Sequence, residues 1–121
     1  MHIEALREYC LSKQGVTEGF PFGEDTLVFK VGGKLFALAS LAEPDSVNLK
    51  CSPEEAIGLR EAYPDAVLPG YHMNKKHWNT VSLVHGLPTA LIVKLIDTSY
   101  TLVRAGLPKA VREALDAEAP L

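Results

Sequence analysis

Cysteine is scarce in this sequence. Cys10 and Cys51 are the only two, and no Cys-x-x-Cys occurs. They stand far apart on apolar-patterned segments, which predicts two buried, reduced thiols and no disulfide. Long apolar runs are missing too: none approaches the roughly 20 residues needed to span a bilayer. Met1-His2-Ile3-Glu4 has no basic stretch followed by an apolar one, so no signal peptide is expected, and a cytoplasmic location is the default. Walker A, GxGxxG, HExxH and GxSxG are all absent, so no reaction is named by a motif. Acid is missing locally. From Ala66 to Ile96 there is no Asp or Glu, while Lys75, Lys76, Lys94, His72, His77 and His85 are present. A locally basic region therefore sits in a chain of net charge −3, and that overall balance argues against a constitutively strong nucleic-acid binder.

The 121 residues predict one domain, 1–121, around one core, and 47% hydrophobic with 22% charged residues is ordinary for a globular chain. Ile3, Leu6 and Cys10 recur at helical spacing, predicting a helix over 2–13. Phe20-Pro21-Phe22-Gly23-Glu24-Asp25 reads as a loop whose aromatics pack down on the core. Leu27–Val31 and Lys34–Leu38 flank Gly32-Gly33, a hairpin in which strict pairing sets Phe29 against Phe36 and Leu27 against Leu38. Glu43-Pro44-Asp45-Ser46 is a turn, and Val47, Leu49 and Cys51 then face inward. Ser52-Pro53-Glu54-Glu55 carries a capping box and a first-turn proline, so a helix runs to about Tyr63. Residues 66–70 read as a connector. Trp78–Leu83 alternates as a strand, with Val81 and Leu83 on one face and Trp78, Thr80 and Ser82 on the other. Pro88 opens a long helix with a stripe through Leu91, Ile92, Leu95, Ile96, Ser99, Leu102 and Val103. Residues 109–118 form a short, polar, exposed helix. The expected class is α+β: an antiparallel sheet of about four or five strands with helices packed on one face.

Catalytic and metal readings find little support. Glu24 and Asp25 have no His or third acid beside them in sequence and read as solvated. His72 and His77 lie five apart, which is neither the i,i+4 spacing of a helical pair nor a finger pattern. Serine and cysteine nucleophiles lack an assignable base. No catalytic residue, metal or cofactor is expected. The second sheet face carries the positive reading. Strand parity places Lys30, Asn48, Lys50, Trp78, Thr80 and Ser82 together there, with Lys75, Lys76 and His77 at its edge. Such a face suits phosphate contacts through lysines and base stacking on Trp78. The alternative is a solvated face with Trp78 tucked against a loop.

The ordered set of Tyr9-Cys10, the Lys-Val-Gly-Gly-Lys-Leu-Phe-Ala hairpin, Val47 to Glu54, His72 to Val81 and Asp97-Thr98-Ser99-Tyr100 resembles the MmcQ/YjbR family over roughly residues 1–106. The Asn-Lys-x-His-Trp-x-Thr-Val core, Asn74 to Val81, is its most specific piece. The resemblance implies a CyaY-like, "double wing" arrangement similar to a DNA-binding wing domain. One member's association with a mitomycin gene cluster implies a link to drug resistance. The expected function is a non-enzymatic, weakly and salt-sensitively DNA-binding domain using Lys30, Lys50, Asn74, Lys75, Lys76, His77, Trp78 and Thr80. The alternatives are a small-molecule- or protein-binding module on the same face, and a structural role with Trp78 buried. No membrane partner is expected.

Overall fold

The computed structural model describes residues 1–42, 45–71 and 73–118. Its elements in order are α1 (Ile3–Leu11), β1 (Val16–Gly19), β2 (Thr26–Val31), β3 (Lys34–Ser40), β4 (Ser46–Lys50), α2 (Pro53–Ala62), β5 (Val67–Pro69), β6 (Trp78–Ser82), α3 (Thr89–Ala105) and α4 (Lys109–Ala117). The strands form one sheet in the order β1-β2-β3-β4-β6-β5, and every neighbouring pair is antiparallel. The α+β class and the antiparallel sheet therefore hold. Among the described residues the strand count is six, above the expected four or five, because each edge carries a short strand. One of these, β5, lies in the expected connector at 66–70.

Local chemistry explains the start of α2 and the β2–β3 turn. The Ser52 hydroxyl accepts from the Glu55 N–H at 3.2 Å, and Pro53 fills the first turn of α2. Gly32 and Gly33 both have positive φ, 56° and 81°, as a two-residue hairpin turn requires. The turn Glu43-Pro44 and the histidine His72 lie outside the described residues.

Cross-strand partners share a face, so register sorts the sheet. Leu27, Phe29, Ala37, Ala39, Val47, Leu49, Val67 and Val81 face the helices and are buried with Leu6, Ile92, Ile96 and Tyr100. Three expectations change here. The hairpin does not pair strictly: its register shifts between Phe29 and Lys30, so Phe29 opposes Ala37 and Leu27 opposes Ala39. Phe36 is the extra residue of a bulge. It stays buried, edge-on to Tyr100 at 5.4 Å between ring centroids. Leu38 consequently turns to the opposite face, across from Asn48. The β3–β4 ladder ends at the pair Ala37–Leu49, and Ser99 of α3 bridges the backbone groups just beyond it. Its hydroxyl donates to the Phe36 carbonyl at 2.5 Å and accepts from the Lys50 N–H at 2.9 Å.

The second change concerns the 20–25 loop. Phe20 and Phe22 are 52% and 69% exposed, not packed on the core. The terminal helix α4 is also less polar in role than expected. Leu115 is buried, and the Gln14 side-chain amide donates to its carbonyl. Cys10 and Cys51 are both buried and free. Among the described residues no helix is long and apolar enough to cross a membrane.

Candidate functional site

The sheet face away from α1 and α3 is open. Register places Lys30, Leu35, Leu38, Asn48, Lys50, Leu68, Trp78, Thr80 and Ser82 on it. The expected grouping of Lys30, Asn48, Lys50, Trp78, Thr80 and Ser82 on one face is thus what the structure has. The middle of this face is a cavity of about 750 Å³. Leu35, Leu38, Asn48, Thr80 and Leu68 form its floor, while Phe22, Tyr71 and Met73 belong to the loops that wall it. Leu68, Phe22 and Tyr71 are 53%, 69% and 70% exposed, so a large apolar rim meets water.

The segment after β5 is held in place from both sides of the sheet. On the open side three polar groups close a ring. The Tyr71 N–H donates to Thr80 Oγ1 at 2.9 Å, Thr80 Oγ1 donates to Asn48 Oδ1 at 2.5 Å, and Asn48 Nδ2 donates to the Tyr71 carbonyl at 3.3 Å. On the core side Arg60 of α2 does the same work. Its Nε donates to Asn79 Oδ1 at 2.7 Å, and its Nη2 donates to the carbonyls of Lys75 and Trp78. Asn79, fully buried, donates in turn to the Ala56 carbonyl at 3.3 Å. Asn74 Oδ1 accepts from the Lys76 N–H at 3.0 Å, an Asx-type turn. Gly70 fits tightly: a Cβ there would lie 2.8 Å from Trp78 Cβ.

Much of the Asn74–Val81 segment is therefore architectural. Asn74 shapes the turn, Asn79 ties β6 to α2, and Thr80 fixes Tyr71 over the cavity. Trp78 is half-buried opposite Lys50. His77 is half-buried, and its carbonyl accepts from the Cys51 N–H at 2.8 Å. Lys75 and Lys76 are exposed, with Lys75 Nζ 3.5 Å from the Gly70 carbonyl. Lys30 lines a separate, smaller hollow of about 290 Å³ beside β1. None of the expected lysines lines the larger cavity.

The sequence reading missed Phe22, Leu38, Ser46, Leu68, Tyr71, Met73 and His85 as site residues. Parity alone would have found Ser46, which alternates with Asn48 and Lys50. Leu38 was hidden by the bulge. Ser82 shares a 2.7 Å hydrogen bond with His85 Nδ1, and the Val84 N–H donates to Ser82 Oγ at 3.1 Å. Among the described residues no carboxylate pairs with His85, and no cluster of three metal-ligating side chains occurs. Ser82 and His85 thus offer polar contacts to a bound molecule.

A family model described as YjbR matches residues 11–102. The chain is 44% identical over 107 residues to the uncharacterised protein YbdF of Escherichia coli O157:H7, covering 88% of this chain and 87% of that one. It is 38% identical over 116 residues to the uncharacterised protein YjbR of Escherichia coli K12, covering 95% and 98%. The crystal structure of a Deinococcus radiodurans protein with domain DUF419 superposes with a TM-score of 0.88 at 41% identity, covering 94% of this chain and 87% of that one. By its motif, by these relatives and by its fold, the chain belongs to the YjbR family.

Proposed function

We propose that this chain is a non-enzymatic, cytoplasmic binding domain that takes a small amphipathic molecule into the cavity on the open face of its sheet. The cavity itself carries the reading. Its volume, about 750 Å³, lies in the usual range for small-molecule sites of roughly 300–1,000 Å³. Its floor joins leucines to a few fixed polar groups, the composition that gives such sites affinity and orientation together. The exposed rim of Phe22, Leu68 and Tyr71 is apolar surface that a ligand would remove from water. A neutral fluorescent probe, phenylnaphthylamine, tests this. Its emission should rise saturably with the protein and fall sharply with Leu68→Lys or Tyr71→Ala, both exposed positions. Absence of saturable enhancement, with the fold intact by circular dichroism, contradicts the reading.

DNA is the second reading, and one observation favours it: Lys30, Lys50 and Trp78 share the open face. With the double-wing analogy, the lysines would meet phosphates and Trp78 would pack a sugar or base. Lys75 and Lys76 extend this basic margin, with Asn74, His77 and Thr80 shaping it. Anisotropy titration of a labelled duplex should then show affinity falling steeply with salt. It should also fall on Lys75→Ala with Lys76→Ala. No binding at low salt counts against it.

A further inference from the structure

The polar groups of the cavity fall into two sets. Asn48, Thr80 and the Tyr71 backbone bond one another and close the ring described above. A second row crosses four strands, because Thr26 opposes Ser40, Ser40 opposes Ser46, and Ser46 opposes Ser82. All four line the cavity. The hydroxyls of Thr26 and Ser46 have no protein partner among the described residues, and Ser40 makes only a 3.5 Å contact with the Ala42 carbonyl. This row ends beside Asp65 and His85. Ser82 holds His85, and its N–H donates to the carbonyl of Ala66, next to Asp65, at 2.8 Å.

Charge completes the description. Among the described residues Asp65 is the one carboxylate lining the cavity, and no lysine or arginine lines it. An anionic ligand would meet a like charge and find no cation to offset its desolvation. A protonated amine would find Asp65, together with free hydroxyls able to accept its N–H groups. The opposite end, Leu35, Leu38, Leu68, Pro69 and Met73, is apolar, with Phe22 and Tyr71 at the rim to cover a flat ring.

We infer that the occupant of this cavity is an aromatic amine bound as its cation. Its rings lie over Leu38 and Leu68, and its ammonium sits at the Asp65 end of the Thr26–Ser40–Ser46–Ser82 row. This rests on the small-molecule reading above and adds the charge and orientation of the ligand to it.

Three probes on one skeleton separate the two claims: naphthylmethylamine, naphthylmethanol and naphthoate at neutral pH, each competed against phenylnaphthylamine. The amine should bind tightest and the naphthoate weakest. The amine should exceed the alcohol by about fivefold at low salt, as expected for one partly screened charge pair. Asp65→Asn, at an exposed position, should bring the amine down to the alcohol's affinity. Naphthoate binding as tightly as the amine, or an amine preference that survives Asp65→Asn, overturns the inference and leaves the small-molecule reading standing. Failure of all three probes and of phenylnaphthylamine to bind overturns both.

Discussion

Ser99 sits at 0% exposure with its hydroxyl bridging two backbone groups of different strands. Replacing it by alanine removes this partner from the buried Phe36 carbonyl and the part-buried Lys50 N–H. Such a loss costs about 1–3 kcal/mol, and urea unfolding of Ser99→Ala should show it as a lower midpoint at unchanged slope. Two titrating groups make further claims at this scale. Burial pushes the Cys10 thiol up to about 12, against a smaller opposing pull from Lys13. A raised pKa means that the folded state holds the proton more tightly. This contribution is complete below the thiol's ordinary value and is lost as pH climbs towards 12. Cys10→Ala should therefore flatten part of the alkaline loss of thermal stability, and the native thiol should resist Ellman's reagent at mildly alkaline pH. Asp97 moves the other way. Burial pushes it up, but hydrogen bonds from Lys13 and Tyr9 and the charge of Lys13 outweigh that and leave it lowered. A lowered carboxylate stabilises the fold above its ordinary pKa and loses that contribution as pH falls through the folded value. Asp97→Asn should accordingly show a shallower acid limb than the parent protein in a melting series.

At the scale of elements, the hairpin shows what a sequence can and cannot reveal. The Gly32-Gly33 turn, the capped start of α2 and the alternation of β4 and β6 are local signals, and all were legible. So was the shared face of Lys30, Lys50, Trp78 and Thr80, since parity within an unbroken strand suffices. The bulge at Phe36 was not legible. It is supported by Ser99, 63 residues away along the chain, and no local pattern announces such a partner. One inserted residue reverses the facing of everything beyond it, which moved Leu38 from the expected core to the cavity floor. The two positions should respond differently to truncation. Phe36→Ala should destabilise by about 3–5 kcal/mol as a core aromatic, whereas Leu38→Ala should fall below the ~2–5 kcal/mol of a buried leucine. Equal losses at both positions would restore the strict pairing. The edge strands β1 and β5 escaped notice for a simpler reason. They span 4 and 3 residues, too few for a period-two pattern to stand out.

The whole molecule divides its sheet between two tasks. One face is closed by α1 and α3 around Leu6, Phe29, Phe36 and Ile96, and α2 reaches β6 through Arg60 and Asn79. The other face is left open, with a cavity at its centre and lysines at its margin. Much of the Asn74–Val81 segment, the most specific piece of the family motif, connects the two. It pins the 70–78 loop from the core side and from the open side, and so holds Tyr71 at the cavity rim. Gly70→Ala should loosen this arrangement, because its methyl would press on Trp78, and weaker probe binding at near-native helix content would register the change. The central claim is that the open face is a small-molecule site. Amide NMR of the nitrogen-labelled protein, titrated with phenylnaphthylamine, tests it most directly. Saturable shifts should centre on Leu38, Asn48, Leu68, Tyr71 and Thr80 and leave Ile92 and Ile96 of α3 unmoved. No saturable shift, or shifts confined to Lys30, Lys50, Lys75 and Lys76, would contradict it.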